Sequence, residues 1–196
     1  MDRRTVVSSV LAGLALPALA ARREPTIGGP CEGCDWVFDG QPAKLASRAR
    51  IAPVAEAGAT MVIEGVVSSA RGLPARGVVV YAYHTNQAGL YPPAGNRHGR
   101  LRGWAITDAQ GHYRFDTIRP GAYPERNVAE HVHMHVIEPG VGTYYIDNLE
   151  FEDDPLNPRR RGAERGGNGL MLPQRRDGVW QARRDIVLGR NIPGYS

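Results

Sequence analysis

The stretch "NVAEHVHMHVIE", residues 127–138, places histidines at every second position: His131, His133 and His135. Side chains two apart on an extended strand point to one face, so the three imidazoles form a row. Alternate residues lie about 6.6–6.8 Å apart along a strand, so only adjacent members of the row can share one metal ion. The pair is either 131/133 or 133/135. Two tyrosines stand in Gly/Pro loops that follow neighbouring strands, Tyr91 in "YHTNQAGLYPP" and Tyr123 in "TIRPGAYPERN". Two phenols and two imidazoles make a four-donor set. Phenolate is a hard anionic oxygen and imidazole is borderline, so the set suits ferric iron better than zinc or cuprous copper. Free tyrosine ionises near pH 10, and only a strong Lewis acid holds two phenolates at neutral pH. A histidine outside such a set more often packs in the second shell or at the surface, and His84, His98 and His112 are read so. His98, in the loop after Tyr91, is placed to line the same pocket.

The elements that must carry these residues are strands. "MVIEGVVS", "RGVVVYAYHT", "GHYRFDTI", "EHVHMHVIE", "TYYIDNLEF" and "WQARRDIVLG" are short β-branched or alternating runs, punctuated by Gly, Pro and Asp. That spacing predicts an all-β sandwich with long connecting loops. No stretch shows capped helical periodicity over three turns, and there is no internal repeat. Residues 22–58 read as an extended arm packed on a domain spanning 59–196. Segment 153–178 reads as a long polar connection. A run from "EGVVSSARGLPARGVVVYAY" to "TDAQGHYRFDTIRPGAY" resembles the small β-sandwich modules attached to peptidases and surface proteins. There Asp108 and Gly111 make a turn while Tyr113 and Phe115 face the core, and none of it needs catalysis. An exported binding module without activity is therefore the alternative function.

The chain has 196 residues, 42% hydrophobic and 22% charged, which is globular composition. Its formal charge of +4 is carried partly by Arg3–Arg4, Arg159–Arg161 and Arg175–Arg176. The later tracts lack interleaved aromatics and read as solvated loop, so no nucleic-acid partner is expected. "MDRRTVVSSVLAGLALPALAAR" has a positive start, a short apolar run and a small-residue end, the pattern of a cleaved export signal over residues 1–21 rather than a membrane span. Arg3–Arg4 resembles a twin-arginine signal, with an ordinary secretory signal as the alternative. A periplasmic or extracellular location follows. In that oxidising setting, Cys31 and Cys34 of "PCEGCDW" are expected to form a structural disulfide. A zinc site would need two more ligands, which a single CxxC does not supply.

From "IEGVV" through "NQAGLY", "LRGWAITDAQGHYRFDTIRPGAYP" and "HVH" to "DNLEFEDDP", roughly residues 62–155, the chain resembles the intradiol ring-cleavage dioxygenases, the protocatechuate and catechol dioxygenase family. The order of these motifs carries the resemblance more than any one of them. It implies a non-haem Fe(III) enzyme that cleaves a catechol-type ring between its two hydroxylated carbons with O2, giving a muconate-type diacid. It implies Tyr91, Tyr123, His131 and His133 as ligands, with Tyr123 and His133 axial, and leaves His135 as a histidine beside the site or at the surface of the same face. It also implies a catalytic role for Tyr123 and for Arg126, and substrate contacts from Arg126 and Asn148. Val128 stands where the family places an arginine, and Asn148 where it places a glutamine. A homo-oligomer is compatible with this reading. A cupin-type metal barrel would also use the His-x-His pair, with Glu138 as a further ligand, but leaves both tyrosine loops unexplained.

Overall fold

The computed structural model describes residues 23–29, 31, 33–157 and 164–196. The export signal expected over residues 1–21 and the Arg159–Arg161 tract lie outside the described residues. The strands are β1 (Arg48–Arg50), β2 (Thr60–Ser68), β3 (Val79–Tyr83), β4 (Arg102–Ile106), β5 (His112–Ile118), β6 (His131–Glu138), β7 (Gly142–Phe151), β8 (Leu170–Met171), β9 (Gln174–Arg176), β10 (Val179–Arg183) and β11 (Ile186–Val187). One sheet runs β4-β3-β6-β7-β8, and the other β1-β5-β2-β10-β9, with β11 also on β2. The molecule is an all-β sandwich.

Alternation explains the packing between the sheets. Met61, Ile63 and Val67 of β2 and Tyr113 and Phe115 of β5 meet Val80, Ala82, Val132, Met134 and Val136 of the opposite sheet in one core. The other face of β3, β4 and β6 is also covered. Val37, Phe38 and Leu45 of the N-terminal arm pack on Val79, Tyr81, Tyr83, Trp104 and Ile137. Burial on both faces is why β3 reads as an unbroken apolar run rather than an alternating one. The Trp104 indole donates to the Val37 carbonyl at 2.7 Å, tying the arm down without stranding its N–H. The arm also contributes β1, paired in parallel with β5, so it is part of the sandwich rather than only an appendage.

The long polar connection expected over 153–178 is broken by β8 and β9. Arg175 and Arg176 lie in β9, which pairs antiparallel with β10. Asp177 and Gly178 both take positive φ, 50° and 79°, closing a two-residue hairpin. A two-residue Asp-Gly turn between facing strands twists in the same sense as the strands it joins. That signal is local. The parallel pairings of β8 on β7 and of β10 on β2 are not, and no short window of sequence announces them.

Candidate active site

The outer face of β6 carries His131, His133 and His135, while Val132, Met134 and Val136 enter the core. Opposite His133 the β6–β7 register shifts between Val132 and Met134: Leu149 pairs Val132 and Ile146 pairs Met134. Strand β7 therefore has an extra residue there, and the bulge turns Asn148 towards the cavity that it lines.

Both tyrosine loops reach this end of the sheet because two glycines let their backbones touch. A Cβ on Gly89 would meet the Ala122 carbonyl oxygen at 1.9 Å, and one on Gly121 the Gln87 carbonyl oxygen at 2.3 Å. Real side chains do not approach so closely, so only glycine fits at either position. The Gly121 amide donates to the Asn86 carbonyl at 2.9 Å, and the Thr85 hydroxyl donates to the Gly121 carbonyl at 2.8 Å. Tyr91 and Tyr123 leave this seam with their hydroxyl oxygens 2.6 Å apart.

Tyr123 Oη is the hub. It lies 3.2 Å from His131 Nε2 and 3.2 Å from His133 Nε2, and the two imidazole nitrogens are 3.1 Å apart. These are the separations of adjacent ligands on one ion held at about 2 Å from each. His131 Nδ1 is 2.7 Å from the Ala129 carbonyl, a bond that places its proton there and turns the Nε2 lone pair to the cluster. His133 Nδ1 is 3.3 Å from Tyr145 Oη, whose hydroxyl also donates to Asn148 Oδ1. Tyr83 stacks on His133 with centroids 4.6 Å apart, fixing the ring plane.

The electrostatics suit a cation. Burial, and then the charges His131 and His135 would carry, hold the His133 imidazole down to about 3, so it is neutral and free to ligate. Burial first, then the bond to Tyr123, pushes the Tyr91 phenol well above the usual tyrosine range. A phenolate at Tyr91 therefore requires a strong Lewis acid beside it. Two hard oxygens and two imidazoles, converging on one point, fit a ferric ion.

The donors open onto a cavity of about 950 Å³, lined among others by Arg97, His98, Arg126, Val128, Asn148 and Arg165. Val128 is 39% exposed and presents an apolar surface there. Arg126 is exposed on the cavity wall, just after Glu125 at φ 61°. His135 is not a surface residue: it is fully buried, and its Nε2 lies 3.3 Å from Cys31 Sγ, away from the tyrosines. Burial follows because the arm covers this face. His84 is likewise buried, between the Thr85 carbonyl and the Thr117 hydroxyl, and His112 is exposed beside Asp108. Cys31 and Cys34 are joined as a disulfide. Glu138 accepts from Tyr144 and Tyr195 and does not join the histidine row, which removes the cupin arrangement.

Sequence reasoning passed over Tyr83, Tyr145 and Arg165. Tyr145 was within reach of a register argument, since it faces His135 across the β6–β7 ladder. Arg165 was not, because its loop approaches the cavity only through long-range pairing.

The dioxygenase family model matches residues 32–164, and the chain belongs to the intradiol ring-cleavage dioxygenase family. Among curated proteins it is 32% identical over 111 residues to the protocatechuate 3,4-dioxygenase beta chain of Burkholderia cepacia, covering 50% of this chain and 47% of that one. It is 30% identical over 109 residues to the catechol 1,2-dioxygenase of Candida albicans, covering 46% of this chain and 36% of that one. The chain thus spans less than half the length of these relatives. Its fold is shared with the dioxygenase domain of a dioxygenase carbohydrate-binding protein fusion from Streptomyces sp. SirexAA-E, at 22% identity and TM-score 0.61, covering 84% of this chain and 98% of that one. It is shared also with chlorocatechol 1,2-dioxygenase from Pseudomonas putida, at 22% identity and TM-score 0.62, covering 83% and 70%.

Proposed function

We propose that this chain is an exported non-haem iron dioxygenase that opens a catechol-type ring between its two hydroxylated carbons, taking both atoms of O2 into a muconate-type diacid. The observation that carries the reading is the meeting of Tyr91, Tyr123, His131 and His133 at the floor of an open cavity. A binding module without chemistry has no use for two phenols and two imidazoles crowded within hydrogen-bond distance. The four residues would hold Fe(III), whose role is to draw electron density from a bound catecholate and make its ring reactive towards O2.

The chain's own groups do the rest. Tyr123 Oη, at the hub, is the base placed to accept a proton from a substrate hydroxyl. Asn148 Oδ1 is occupied by Tyr145, which leaves the amide N–H groups to orient the substrate. Arg126 supplies positive charge on the wall to steady an anionic ring. Leu90, Val128 and Leu156 give the cavity an apolar rim suited to an aromatic face.

Iron loading of the purified chain, followed by a visible spectrum and a catechol assay under O2, tests this. Wild type should show a phenolate-to-iron charge-transfer band and produce muconate absorbance. His131→Ala and His133→Ala should bleach the band and stop turnover. Tyr91→Phe and Tyr123→Phe should each shift or weaken it, while His135→Gln keeps it. A colourless, iron-loaded wild type would remove the reading. A band lost in His135→Gln but kept in His131→Ala would move the ligand pair to 133/135.

A further inference from the structure

A second set of donors lies behind the first, on the same strand face. The sulfurs of Cys31 and Cys34 and a ring nitrogen of His135 all lie within 4.8 Å of one another. Cys31 Sγ is 3.3 Å from His135 Nε2. Gly33, at φ 83°, and the single 3-10 turn Cys34–Trp36 bring both cysteines to one side of the chain. That is the local geometry a C-x-x-C pair needs to bite one ion. His98 faces the same place. Its Nδ1 is engaged by Tyr81 Oη at 2.8 Å, while its buried Nε2 has no hydrogen-bond partner among the described residues. That bare nitrogen is aimed at the turn between the cysteines, for a Cβ on Gly33 would lie 2.2 Å from it. His98 is 2% exposed and His135 0%, so water does not compete freely at either ring.

We propose that Cys31, Cys34 and His135, beside the buried His98, form a second metal site that takes a thiophilic divalent cation such as Zn2+ when the Cys31–Cys34 disulfide is reduced. The bridge is opened by a dithiol, which gives two electrons and two protons to the two sulfurs and is itself closed to a disulfide. The cation then displaces the two thiol protons and is bound by two thiolates and neutral imidazole. Two soft sulfurs and imidazole select zinc-like ions, whereas two phenolates and two imidazoles select ferric iron. The two sites share β6 and sort metals by donor hardness. Either cross-link pins the arm at Gly33 over His98. His98 stacks on Tyr83 with centroids 3.7 Å apart, and Tyr83 stacks in turn on His133. The wall behind the first site is thus held in an oxidising setting by the disulfide and in a reducing one by the metal. This arrangement does not rest on the ring-cleavage reading.

Cobalt(II) is the probe, because only a thiolate ligand gives it a near-ultraviolet sulfur-to-metal charge-transfer band. The full chain is reduced with a phosphine and water, which yields two thiols and the phosphine oxide, and is titrated with Co2+ without oxygen. One cobalt per chain should show the thiolate band together with intense tetrahedral d–d bands, and Zn2+ should displace it. The oxidised chain should show neither, and cobalt at the tyrosine–histidine site would carry no thiolate band. Cys31→Ser and Cys34→Ser should each weaken and shift the band, and the double variant should lose it. His135→Gln should weaken cobalt affinity at least about tenfold. Reduced wild type with two titratable thiols but no thiolate–cobalt band would overturn the site. Unchanged affinity in His135→Gln would also overturn it.

Discussion

Gly89 and Gly121 decide where the phenols go, although neither has a side chain to offer. Their missing Cβ atoms let the Tyr91 and Tyr123 loops lie backbone against backbone, and Gly89 takes φ 74°. Gly89→Ala should push the loops apart, cost roughly 1–3 kcal/mol of stability and lower iron content per chain. Urea midpoints and metal analysis check this; a variant matching wild type in both would mean the seam does not position the phenols. Tyr145 bears on the proposed iron site through His133. Its hydroxyl links His133 Nδ1 to Asn148. Tyr145→Phe should weaken iron binding about 10–100-fold, the usual cost of losing a partner that orients a ligand histidine. Competition with a coloured iron chelator measures it.

Strand β6 does two jobs at once through its period of two. Val132, Met134 and Val136 build the core, and the alternate positions carry His131 and His133, the proposed iron ligands, and His135. Strand β3, its neighbour, is followed directly by His84, which is fully buried, with Nε2 2.6 Å from the Thr117 hydroxyl. Burial lowers this imidazole to about 4, partly opposed by its bond to the Thr85 carbonyl. The unfolded chain keeps the ordinary value near 6.5, so between these values it binds a proton that the folded chain refuses. Stability is therefore full above pH 6.5 and falls as pH drops towards 4, by about 1.4 kcal/mol per pH unit for this one group. His84→Gln should flatten that part of the stability curve by the same slope. Urea midpoints at pH 7, 6 and 5 show it, and an unchanged slope would mean His84 is protonated in the fold.

At the scale of the molecule, Arg184 is the tie between the C-terminal strands and the segment entering the cavity wall. It is fully buried, and its guanidinium donates to the carbonyls of Asn168 and Asp185 at 2.8 and 3.0 Å, and to that of Arg165 at 3.2 Å. Its own carbonyl accepts from the Tyr113 hydroxyl at 2.5 Å, joining the second sheet. Arg184→Met keeps the length but strands several buried carbonyls, each worth roughly 1–3 kcal/mol when unpaired. The variant should lose about 3 kcal/mol or more and loosen the 164–169 segment that carries Arg165. Denaturant midpoints and hydrogen exchange over that segment test it.

The alternation of β2, β5 and β6, the Gly/Pro loops holding Tyr91 and Tyr123, and the His-x-His row are written in neighbouring residues, because pleat and turn chemistry act over a few positions. They determine the sandwich and name the donors. What residues scores of positions apart do to one another could not be read locally. The covering of β6 by the arm turned His135 from an outward histidine into a buried neighbour of Cys31. The β7 bulge aimed Asn148, and parallel pairing of β8 and β10 cut the polar segment 153–178 into strands. The imidazoles that stand beside the Cys31–Cys34 turn came from β6 and from the loop after Tyr91, brought together only when the sheet and its arm closed. Contacts of that kind depend on which surfaces the whole chain buries together, and no single stretch of the sequence carries that information.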